Sequence, residues 1–213
     1  MAWTFTTLKQ SIQDYTNNTE TTFVNNLDEF IVEAEEAIIK LVDLPYFRKS
    51  VTGQLTSSNQ YLTMPTDFLA PYSLAIDDSG YEYLLFKDVS FMREAYPSSS
   101  TTGIPKYYAI FNNESFIVAP TPNANLTAEL HYRYKPTSIT TSSDGTTWLG
   151  TNAPDCLLYG SLVEAYTFMK GEADILTNYK ERFALAIDRL KVLGEGRDTK
   201  DNYRSGSLRK PVT

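Results

Sequence analysis

The sequence predicts an α+β protein. The expected fold is a four-helix bundle made by N- and C-terminal helical hairpins, with an inserted small antiparallel β-sandwich or barrel-like domain and an extended C-terminal tail. Two observations lead there. Apolar residues recur at helical spacing at both ends of the chain and at strand spacing between them. The last stretch, from Gly194 on, has no apolar period at all.

Residues 6–17 read as a helix on the steps Leu8, Ile12 and Tyr15, and Asn17-Asn18-Thr19 breaks it. A second helix is expected from about Thr22 to Val42. Its stripe is Phe23, Leu27, Phe30, Ile31, Ala34, Ile38 and Leu41, and Asp28, Glu29, Glu33, Glu35 and Glu36 cover the rest of its surface. At 1.5 Å per residue it is roughly 30 Å long. Pro45 stops it.

Between residues 47 and 134 short runs of β-formers alternate with turn residues such as Gly53, Ser57-Ser58-Asn59 and Asp77-Asp78-Ser79-Gly80. The predicted strands are 47–55, 61–64, 73–76, 81–86, 107–111, 115–119 and 127–134, with a short helix at 88–95. In the last strand Leu130, Tyr132 and Tyr134 alternate with Glu129, His131 and Arg133, so one face is packed and one is wet.

The helical period returns near Asn152-Ala153-Pro154, where proline suits a first helical turn. Leu158, Leu162, Ala165 and Met169 form one stripe. Gly171 interrupts it, and Ile175, Tyr179, Phe183, Ile187, Leu190 and Leu193 form the next. Gly194-Glu195-Gly196 reads as the cap that ends this helix. The expected division is therefore residues 1–44 and 151–193 for the helical bundle, 45–150 for the inserted β-rich domain, and 194–213 for the tail.

Composition narrows the chemistry. The 213 residues include 15 Tyr and 11 Phe, enough aromatic mass for a packed core. A single Cys excludes an intrachain disulfide framework and a Cys-based zinc site. A single His removes most acid–base constellations. No phosphate-binding glycine motif occurs. His131 is expected as a surface residue and Cys156 as a packed one, so no catalytic, cofactor or metal site is predicted and the chain reads as a non-enzyme. No run of about twenty residues is free of charge, so no membrane span is expected.

Tyr81-Glu82-Tyr83 and Tyr132-Arg133-Tyr134 each place two rings on one sheet face, and both pairs are expected to fill the sandwich core. The net charge is −7, but it is uneven. Residues 1–44 hold 8 acidic and 2 basic residues, whereas residues 194–213 hold 5 basic and 3 acidic ones. An acidic helical face and a basic tail suit contacts between copies or docking on an acidic partner.

Five stretches carry a resemblance. They are Leu44-Pro45-Tyr46-Phe47-Arg48-Lys49, Tyr61-Leu62-Thr63-Met64-Pro65-Thr66-Asp67-Phe68-Leu69, Gly103-Ile104-Pro105-Lys106-Tyr107-Tyr108, Leu157-Leu158-Tyr159-Gly160-Ser161-Leu162 and Gly194-Glu195-Gly196-Arg197. Together they resemble the head-to-tail adaptors of tailed phages, also called tail tubular protein A in short-tailed phages. The resemblance implies a virion neck protein, made in the bacterial host cytoplasm. It would form a ring, typically of twelve copies, between the portal protein and the next tail component (nozzle or tail tube), with tail fibres nearby and DNA passing through.

On that resemblance the tail is the portal-binding element. Arg197, Lys200, Arg204, Arg209 and Lys210 would pair with portal carboxylates, and Tyr203 and Leu208 would anchor it. The acidic residues Asp28, Glu29, Glu33 and Glu36 would line the channel and repel DNA. The alternative is another neck or tail protein, such as a fibre-attachment or glycan-binding module using the tyrosine faces.

Overall fold

The N-terminus is tied down before the first helix begins. Trp3 donates its backbone N–H to Gly150 O (2.8 Å) and its indole N–H to Pro154 O (2.9 Å). Thr4 then caps helix α1 (Phe5–Thr16): its hydroxyl accepts from Thr7 N, and the Thr7 hydroxyl accepts from Thr4 N. Asn17, at φ 46°, ends the helix in the left-handed region. The structure is a computed structural model and describes residues 2–78 and 80–197, Arg197 by its backbone.

Helix α2 (Thr21–Leu41) buries Phe23, Leu27, Phe30, Ile31, Ala34 and Ile38, the stripe its sequence announces, while Leu41 at its end is exposed. Each of the Phe, Leu and Ile side chains so buried contributes about 1.5–3 kcal/mol relative to exposure. After a 3-10 turn at Pro45–Phe47 the chain enters a run of strands and one helix: β1 (Arg48–Leu55), β2 (Tyr61–Thr63), β3 (Phe68–Asp77), β4 (Tyr81–Tyr83), β5 (Leu85–Phe86), α3 (Val89–Ala95), β6 (Thr102–Gly103), β7 (Tyr107–Ile110), β8 (Ser115–Ala119), β9 (Thr121–Pro122) and β10 (Leu126–Tyr134). The chain then returns to helices α4 (Trp148–Asn152), α5 (Pro154–Phe168) and α6 (Ala173–Arg197).

Two compact units result. One comprises residues 2–45 and 137–197, and the other is Tyr46–Pro136. Residues 137–150, expected with the β region, belong to the helical unit. Ile139 is fully buried there, its N–H donating to Glu35 Oε1 (3.0 Å), and Phe5 N donates to Gly145 O (2.8 Å). The carboxylate of the buried Glu35, on α2, thus satisfies a buried loop amide.

In the helical unit α5 is the shared neighbour of α1, α2, α4 and α6. Its residues Cys156, Leu157, Leu158, Gly160, Ser161, Leu162 and Ala165 are all buried, so it is apolar around most of its circumference rather than along one stripe. The helices accordingly gather round α5 instead of meeting as two hairpins face to face. Gly160 permits this. A Cβ there would lie 3.0 Å from Ala34 Cβ on α2 and 3.1 Å from Phe183 on α6.

Helix α6 also runs further than the sequence suggests. Gly194-Glu195-Gly196 does not cap it; the helix continues to Arg197. Gly194 is buried, and a Cβ there would meet Leu44 Cδ2 at 2.8 Å and Asp43 O at 3.0 Å. The glycine marks a close approach, not a helix end.

The β unit is a sandwich. One sheet has the order β1-β10-β3-β4 and is antiparallel throughout. The other has the order β2-β8-β7-β5, and its edge pair β5–β7 is parallel. Strands β6 and β9 form a separate parallel pair. Leu55, Leu74, Ile76, Leu126, Ala128, Leu130 and Tyr132 from the first sheet pack with Leu62, Tyr108, Phe116 and Val118 from the second. On β8 the alternate residues Ile117 and Ala119 point the other way and are covered by Met92 of α3. The second sheet is thus packed on both faces, while the first leaves its outer face to solvent.

Candidate partner-binding surfaces

Three regions carry the residues singled out above. The first is the acidic surface of α2. Asp28, Glu29 and Glu33 are exposed and Glu36 is half-buried. Asp28 is paired with Lys9 of α1 (2.7 Å) and Glu36 with Lys40 one turn on (3.2 Å). Glu33 faces Glu164 of α5. Burial, together with the Glu33 charge, pushes the Glu164 carboxyl up in pKa. Part of the negative charge is therefore offset locally.

The second region is the C-terminal end of α6. Leu41, Val42, Asp43, Lys191, Gly194 and Glu195 line a groove of about 260 Å³ there. Two of the five resembling stretches, Leu44–Lys49 and Gly194–Arg197, have their first residues in contact at this spot. Of the predicted portal-binding residues, Arg197 is the last described residue, at the end of α6. Lys200, Tyr203, Arg204, Leu208, Arg209 and Lys210 lie outside the described residues.

The third region is the β unit. In the Tyr61–Leu69 stretch, Leu62 and Met64 enter the core, and Phe68 N closes a turn on Pro65 O (3.1 Å). Phe68 packs edge-on against Phe116 at 5.2 Å and stacks on Tyr132 at 5.8 Å. Asp67, at the crossing from one sheet to the other, accepts a 2.8 Å hydrogen bond from the Tyr132 hydroxyl and is ion-paired with Lys49. Lys49 lies 4.7 Å from the Tyr134 ring centroid. Although burial opposes it, the hydrogen bonds from Lys49 and Tyr132 leave the Asp67 pKa lowered; the Asp67 bond likewise raises Lys49. The Asp67 carboxylate thus serves the architecture of the sandwich.

The two tyrosine pairs have opposite fates. Tyr132 is core and Tyr134 is partly buried, as expected. Tyr81 and Tyr83 are not core: Tyr83 is 68% exposed, because β4 is an edge strand and both rings stand on the outer face of its sheet. Glu129 hydrogen-bonds the Tyr81 hydroxyl and pushes its pKa up. Next to them Leu85, Phe86 and Ile104 are exposed too. Sequence spacing alone missed this strip, since the edge position of residues 81–86 depends on strand order.

Cys156 is buried in the first turn of α5, and desolvation pushes its thiol up to about 12. His131 stands half-buried on the outer sheet face, its ring 5.5 Å from that of Tyr72. No helix among the described residues is long and apolar enough to cross a membrane.

The chain is thus a helical unit interrupted by a β-sandwich, with its cysteine buried. The family model described as SU10 adaptor protein matches residues 3–211, so the chain belongs to that family of phage head-to-tail adaptors. It is a phage structural protein and a virion component. No curated protein matches it.

Proposed function

We propose that copies of this chain form a ring on the portal protein, joining the capsid vertex to the tail and leaving a channel for DNA. The observation that carries this reading is the family match, which spans both units and runs through the basic tail as far as residue 211. The chain works by assembly, not turnover, with no cofactor. Burial in α5 pushes the Cys156 thiol up, which disfavours its thiolate. Arg197, Lys200, Arg204, Arg209 and Lys210 pair with portal carboxylates, Tyr203 and Leu208 anchor the segment, and the opposite side of the ring takes the next tail component and fibres. Asp28, Glu29, Glu33 and Glu36 present negative charge to passing DNA and keep it sliding.

Truncation tests the reading, and the course of α6 says where to cut. Removal of residues 198–213 spares Gly194 and its contact with Leu44. The shortened chain is expected to fold with an unchanged melting temperature and to lose portal binding in sedimentation. Wild-type binding by the shortened chain would refute the tail's role.

A further inference from the structure

We draw no further inference here: the strongest candidate, the exposed strip of Tyr81, Tyr83, Leu85 and Phe86 along strands β4 and β5 at the edge of the sandwich, carries nothing because nothing in the structure shows what covers it.

Discussion

The Asp67 carboxylate offers the sharpest test of how the sandwich is held. Replacing it by alanine removes two interactions of unequal worth. The Tyr132 hydroxyl sits on a residue only 1% exposed and donates to Asp67 at 2.8 Å. Losing a charged acceptor there costs about 1.5–2 kcal/mol. The Lys49–Asp67 ion pair is partly solvated, with side chains 43% and 29% exposed, and adds about 0.5 kcal/mol after screening. Asp67→Ala is therefore expected to cost about 2 kcal/mol, roughly 8–16 °C in the melting temperature of a β unit this size.

The pH dependence follows from the two shifts. The lowered Asp67 pKa contributes stability that is present above the ordinary value of 3.8 and lost as pH falls through its folded value. The raised Lys49 pKa contributes stability that is full below 10.5 and lost as pH rises through its folded value. Urea unfolding at pH 7 and pH 2.5 compares Asp67→Ala with wild type: the deficit should be largest at pH 7 and shrink in acid. Tyr132→Phe in a double-mutant cycle should couple to Asp67→Ala by about 1.5 kcal/mol. A deficit that does not change with pH, or additive single effects, would refute the assignment.

Further predictions concern the helical unit. Gly160→Val should cost about 1–3 kcal/mol in thermal unfolding, because the new side chain collides with Ala34 and Phe183 on opposite neighbours. Glu164→Gln should stabilise the chain by about 0.3–0.5 kcal/mol at pH 7. The raised pKa makes the charged form unfavourable there, and the gain should vanish below the ordinary value of 4.5, where both residues are neutral. Cys156 should resist aromatic disulfide reagents in the native state and react at the unfolded rate once urea is added.

Much of this architecture is written locally. The alternation in β10 places Leu130 and Tyr132 inward and Arg133 outward, as the period-2 pattern demands. The α2 stripe and the Asn17 break are legible for the same reason: one face, one period, one stop. What escaped reading depends on neighbours far along the chain. Helix α5 looks like one stripe until the elements packed on its other sides are known. Gly194 looks like a cap until Leu44 is seen against it. Tyr81-Glu82-Tyr83 and Tyr132-Arg133-Tyr134 share a spacing, but one strand is at an edge and the other in the middle of its sheet. The two-residue parallel pairs β5–β7 and β6–β9 are too short to leave a periodic signal.

The insertion leaves and re-enters the helical unit through β1 and β10, whose ends Arg48 and Arg133 are direct cross-strand partners. During synthesis this has a temporal consequence. The main partner of α2 is α5, which begins only at Pro154, so more than a hundred residues separate them on the ribosome. At about 5–20 residues per second, the Phe23–Ile38 stripe waits roughly 5–20 s for its cover. Through that interval the stripe has no α5 to pack on, whereas every strand of the sandwich has already been made by Tyr134.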